Sequence, residues 1–169
     1  MTKIFGIVGW SDSGKTDLTK RIISYFVKKN IVVSSVKHTH HKFEIDKKGK
    51  DSDQHIIAGS NEVIIYNKKK WALVSKYQQE SVKIEEVIKK FEKKTEIILI
   101  EGLKYGNFPK IEVIRMSQNK PLIYTEDKNI KAIIVDDDST KLENNILPVF
   151  KFNDTSLIAD FIWRFFKNE

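Results

Sequence analysis

The eight residues Gly9-Trp10-Ser11-Asp12-Ser13-Gly14-Lys15-Thr16 constrain this chain more than any other feature. They satisfy the pattern of a glycine, four residues, then glycine, lysine and serine or threonine, the P-loop. Lys3 to Val8 ahead of them reads as a buried strand, and Leu18, Ile22, Ile23, Phe26 and Val27 behind them fall at helical spacing on one apolar face. Strand, loop and helix in that order are what the motif requires. The glycines let successive amide N–H groups turn into one concavity, where the positive end of the helix dipole adds to them. The expected tenant is a polyphosphate cradled by Gly9, Ser11, Asp12, Ser13 and Gly14, with Lys15 reaching the outer phosphates. Thr16 is expected to place its hydroxyl on Mg²⁺. The plain alternative, an ordinary polar turn, leaves the flanking strand and helix without a reason.

The rest of the chain reads as strands alternating with amphipathic helices. Ile31 to Val36, Glu62 to Tyr66, Trp71 to Lys76, Ile97 to Ile100, Ile111 to Met116, Ala132 to Val135 and Val149 to Phe152 are strand candidates. The polar turn Asn67 to Lys70 makes the second and third of these a hairpin. Ser81 is the expected cap of a helix that turns Ile84, Val87, Ile88 and Phe91 inward, and Asp154 or Thr155 caps a last helix presenting Leu157, Ile158, Phe161, Ile162 and Phe165. The expected fold is therefore α/β, a P-loop NTPase with a mainly parallel sheet, helices on both faces, and a ligand crevice at the carboxyl ends of the strands. At 169 residues and 40% hydrophobic content, one nucleotide-binding domain spanning 1–169 is the default.

A P-loop uses a second acidic group at a strand end to hold the metal. Glu101, directly after Ile97 to Ile100, is favoured over Asp136, because Gly102 and Gly106 beside it indicate close backbone approach. Lys15 and Glu101 are the expected catalytic pair, with Thr16 and Glu101 on the metal. All seven glycines lie at positions 6, 9, 14, 49, 59, 102 and 106, so special backbone geometry is concentrated ahead of the last third, which reads as scaffold.

The stretch from Lys37 through His38, His40 and His41 to Asp51 and Ser52 begins where the second strand ends. Its histidines are open to three readings. A zinc or nickel site lacks any cysteine and any helical pair at i, i+4 among them. A solvated polar loop is the bland reading. An anion or substrate site fits Lys37, Lys47, Lys48 and Lys50 alternating with hydrogen-bonding groups beside the nucleotide crevice.

The formal charge of +7 does not by itself point to nucleic acid, since Lys and Glu alternate along stretches such as Lys83 to Lys94 and no aromatic RNA-binding signature or zinc-finger spacing occurs. Small anionic ligands suit a modest positive excess. No apolar run approaches the roughly 20 residues of a membrane span, and no signal-peptide pattern opens the chain, so a cytoplasmic protein with neither membrane nor nucleic-acid partners is expected. The absence of cysteine excludes disulfides and thiolate metal sites.

Three segments together resemble the molybdopterin-guanine dinucleotide biosynthesis adapter family, the GTP-binding protein B of the molybdenum cofactor pathway. They are Gly9 to Thr16, the histidine stretch from Lys37 to Gly59, and Ile100-Glu101-Gly102-Leu103-Lys104 through Phe108-Pro109-Lys110-Ile111-Glu112. The first is shared by many unrelated NTPases; the other two are narrow. The likeness extends to about Arg115, and one departure is Lys48, where the family usually has proline before Gly49. The resemblance implies a homodimer that binds GTP with Mg²⁺, hydrolyses it slowly and assists a separate guanylyltransferase in joining GMP to molybdopterin. It also implies that His38, His41, Asp46, Lys50, Asp51 and Arg115 border the pocket for the molybdopterin phosphate or the partner.

Base preference is not written in the residues. Asn67-Lys68-Lys69-Lys70 and Asn119-Lys120-Pro121-Leu122 both lack the aspartate of the usual guanine signature, and no residue stands out to orient an attacking water. A small-molecule kinase would use the same loop but carry an arginine-bearing lid, and this chain has only Arg21, Arg115 and Arg164. A metallocentre-assembly GTPase would make the histidines ligands. A nucleotide-independent interaction module is the remaining alternative.

Overall fold

A computed structural model describes residues 2–39, 43, 49, 51–76, 81–136, 142 and 146–167. The elements in chain order are β1 (Lys3–Gly9), α1 (Lys15–Lys28), β2 (Val33–Lys37), α2 (Asp51–Ile57), β3 (Glu62–Tyr66), β4 (Trp71–Ser75), α3 (Ile84–Ile88), β5 (Ile97–Glu101), β6 (Lys110–Ile114), β7 (Ile130–Val135), β8 (Val149–Lys151) and α4 (Thr155–Phe165), with 3₁₀ turns at Met116–Gln118 and Ile123–Thr125. They group into two compact units, Met1–His38 with Phe91–Glu169, and Thr39–Lys90.

The first unit is built on a six-stranded sheet in the order β2-β5-β1-β6-β7-β8, with every pairing parallel. All residues of β5 and β6 are buried, as strands central to a covered parallel sheet require. Alternation with period two sends Phe5, Ile7, Ile97, Leu99, Ile111, Val113, Ala132 and Ile134 to one face. There Leu18, Ile22 and Phe26 of α1 and Ile158, Ala159 and Ile162 of α4 close the core. Phe5, Phe165 and Phe166 meet edge-on, ring centroids 5.6 to 6.1 Å apart, the geometry favoured by the ring quadrupole. On the opposite face Met116, Leu122 and Tyr124 pack on Ile114, Ile133 and Val135. The chain leaves β1 toward β2 on one side and later crosses it to reach β6 on the other. Such a reversal opens a crevice beyond the carboxyl end of β1.

The second unit holds the expected hairpin: β3 and β4 pair antiparallel from Glu62 opposite Ser75 to Tyr66 opposite Trp71. Asn67 makes its turn, accepting from the amides of Lys69 and Lys70 at 2.8 and 3.0 Å through Oδ1, an Asx turn.

Three expectations about helices need correction. Val27 and Leu157 are 58% and 56% exposed, while Thr19 and Ala159 are buried instead. At about 100° per residue, Val27 and Leu157 lie on the flanks turned away from the buried rows 18-22-26 and 158-162. Helix α3 is capped at Lys83 rather than Ser81, and none of its residues is fully buried.

Candidate functional site

Beyond β1 the backbone takes conformations that side chains resist. Asp12 and Gly14 are left-handed at φ 60 and 92, and Gly14 caps α1. A Cβ at Gly9 would meet Ser13 Oγ at 2.7 Å, and one at Gly14 would meet the Phe152 ring at 2.8 Å. The first amides of α1, those of Lys15, Thr16 and Asp17, precede the first intrahelical bond and have no intrahelical acceptor. Lys15 Nζ folds back onto the Trp10 carbonyl at 2.5 Å, with Ser13 Oγ at 3.5 Å. Burial lowers the Lys15 pKa from its ordinary value, Glu101 partly offsetting it. An ammonium desolvated to that degree gains from an anionic partner.

Residues far along the chain fix the loop from outside. Trp10 Nε1 donates to the Pro121 carbonyl at 2.7 Å, Gln118 Nε2 to the Ser11 carbonyl at 2.8 Å and Arg115 Nε to the Ser13 carbonyl at 3.2 Å. Lys104 Nζ stands 3.3 Å above the Trp10 ring. The Phe152 ring carries the Arg115 guanidinium at 4.4 Å. Trp10, Lys104, Gln118, Pro121 and Phe152 were not singled out by sequence reading. Contacts across some hundred residues leave no local pattern, and the last third, read there as scaffold, supplies part of the loop's mould.

Parallel pairing sets the acidic group. Glu101 ends β5 beside β1, and Thr16 Oγ1 donates to Glu101 Oε1 at 2.6 Å. Lys37 lies opposite Glu101 in the register of β2 and β5, and its Nζ is 3.4 Å from Glu101 Oε1 and 3.3 Å from Thr16 Oγ1. Gly102, at φ 90, lets the backbone pass so close that a Cβ would lie 2.8 Å from the His38 carbonyl oxygen. Asp136 is directed elsewhere: it pairs with Arg115 Nη1 at 3.4 Å and accepts from the Met116 amide at 3.3 Å. A threonine hydroxyl and a carboxylate are hard oxygen donors of the kind Mg²⁺ prefers, and the Lys37 ammonium beside both shows that the position accommodates a cation.

The other expected site residues are distributed differently. His38 follows β2, its amide donating to the Glu101 carbonyl at 2.9 Å, and Arg115 braces the loop. Asp51 is in the first turn of α2, in the second unit. His41, Asp46 and Lys50 lie outside the described residues, as does His40. Among the described residues no three His, Cys, Asp or Glu side chains gather as a metal site, and no helix is long and apolar enough to cross a membrane.

Residues 4–136 match the family model described as molybdopterin guanine dinucleotide synthesis protein B. The chain is 35% identical over 164 residues to the molybdopterin-guanine dinucleotide biosynthesis adapter protein of Haemophilus influenzae, covering 94% of this chain and 86% of that one. It is 29% identical over 165 residues to the adapter protein of Escherichia coli, covering 96% and 92%. Among solved structures, a MobB protein homolog from Bacillus stearothermophilus aligns with TM-score 0.73 at 18% identity over 98% of this chain and 99% of that one. Bacillus subtilis MobB aligns with TM-score 0.73 at 24% identity, covering 95% and 96%. These likenesses establish the fold as that of P-loop NTPases.

Proposed function

This chain belongs to the molybdopterin guanine dinucleotide synthesis protein B family, and from that premise we propose that it is a GTP-binding adapter which assists the attachment of GMP to molybdopterin. The observation that carries the reading is the strand, loop and helix from Gly9 to Thr16 with Glu101 Oε1 2.6 Å from Thr16 Oγ1. In this reading the loop amides and Lys15 hold the nucleotide phosphates. Thr16 and Glu101 hold Mg²⁺, which when bound neutralises charge on the phosphate oxygens. Guanine preference and slow hydrolysis both follow from the family alone.

The partner is a guanylyltransferase, and the segment containing His38, His41, Asp46, Lys50 and Asp51, with Arg115, serves molybdopterin or that partner. Pterin binding unchanged in His41→Ala and Lys50→Ala proteins would remove this assignment. We also propose a homodimer in the cytoplasm. Support for the dimer comes from the hairpin, where Tyr66 lies opposite Trp71 and Ile64, Tyr66 and Trp71 are 61%, 81% and 60% exposed, adjoining apolar side chains of the kind that mark protein contacts.

Calorimetric titration of GTP and of ATP, with and without Mg²⁺, tests the reading. Tight GTP binding that Mg²⁺ strengthens is expected. Equal or better ATP binding would overturn the guanine assignment, and GTP binding undiminished in Lys15→Ala would overturn the nucleotide site itself.

A further inference from the structure

The sheet places one more cation at the metal position, and no loop motif specifies it. β2 and β5 run parallel with Lys37 opposite Glu101, and β5 runs beside β1, from which the loop to Thr16 departs. Two strand ends and one helix start therefore converge, and Lys37 Nζ touches both oxygens, 3.3 Å from Thr16 Oγ1 and 3.4 Å from Glu101 Oε1. The two side chains differ in freedom. That of Glu101 is 10% exposed and held by the hydroxyl of Thr16, whereas that of Lys37 is 63% exposed on a solvated stem. A nearly buried carboxylate is unfavourable without a counter-charge. A flexible lysine can supply that charge and also withdraw it.

We propose that Lys37 is a built-in cation that occupies the metal position between Thr16 and Glu101 when Mg²⁺ is absent and is displaced into solvent when Mg²⁺ arrives with nucleotide. This deepens the nucleotide reading of the site and rests on it. Two effects then act in one direction. Without metal, Lys37 leaves a positive charge beside the phosphates and sustains binding; with metal, displacing Lys37 from Glu101 takes away part of the metal's contribution. Lys37 thus sets how strongly nucleotide binding depends on Mg²⁺, holding that dependence below what the loop would otherwise show.

The test is the ratio of GTP Kd in EDTA to GTP Kd in saturating Mg²⁺, measured by calorimetry on the parent chain and on Lys37→Met, Lys37→Arg and Lys69→Met. Because interactions of exposed charge pairs are modest, the ratio should rise by about two- to fivefold in Lys37→Met. It should stay at the parent value in Lys37→Arg, which keeps the charge, and in Lys69→Met, which removes one charge from the hairpin turn. A parent that binds GTP with Mg²⁺ but shows the same or a smaller ratio in Lys37→Met overturns the inference and leaves the nucleotide site standing. A parent that binds no GTP in either condition removes both.

Discussion

At Gly14 the property that matters is a missing Cβ. Its φ of 92 is open to glycine and strained for other residues, and the Phe152 ring leaves no room, 2.8 Å from where a Cβ would stand. Gly14→Ala is expected to cost about 1–3 kcal/mol of stability and to weaken GTP binding at least about tenfold, since rotating one amide out of the concavity removes a hydrogen bond to an anion. Thermal melts and GTP titration of the same preparation check both. Wild-type affinity in the variant would mean the loop's curvature is not what holds phosphate. The sequence motif announces this glycine, but its second reason, an aromatic ring from residue 152, is visible only in three dimensions.

Among the elements, β6 carries two buried charges that organise the loops around the site. Lys110 is fully buried, donating to the Lys104 and Gly106 carbonyls at 3.0 and 2.6 Å and pairing with Asp127 at 2.6 Å. Glu112 accepts from the amides of Ile123 and Tyr124 at 2.9 and 2.8 Å, and burial raises its pKa above the ordinary carboxylate value. Asp127→Ala would strand the Lys110 ammonium in the interior and is expected to destabilise the fold by about 3 kcal/mol, read from denaturant unfolding. Burial pushes the Asp127 pKa up, but the Lys110 and Asn129 hydrogen bonds outweigh it and hold the carboxyl below the usual aspartate value. A folded value below the unfolded one of about 3.9 means that this stabilisation is complete above about pH 4 and is lost as the pH falls through the folded value. The slope of stability against pH should be shallower in Asp127→Asn than in the parent on the acid side; equal slopes would show the pair contributes nothing. The run Glu62–Tyr66 was legible with its observed bounds because a β-branched run ends at an Asx-forming turn. Lys110 and Glu112 were quoted only as part of a family segment, since charges in the middle of a strand look solvated until the covering loops are seen.

Across the whole molecule, strand order is what turns one motif into a site. The order β2-β5-β1-β6 gathers Thr16, Lys37 and Glu101, which are 21 and 85 residues from each other along the chain through their hydrogen bonds. The sequence made the parallel α/β class and the pairing of Thr16 with Glu101 readable, because strand ends and glycines mark a crevice. It could not show which strand lies beside β5, and hence that Lys37 arrives at the same oxygens; strand neighbours are decided by long-range packing. The formal charge of +7 has the sign that the proposed polyphosphate ligand requires. In the proposed function, main-chain amides at the start of α1 wrap that polyphosphate. Amide hydrogen exchange of the full chain with and without GTP and Mg²⁺ measures it directly. Slowed exchange concentrated in residues 11–16 is the predicted result, and exchange in that segment unchanged at saturating GTP would contradict it.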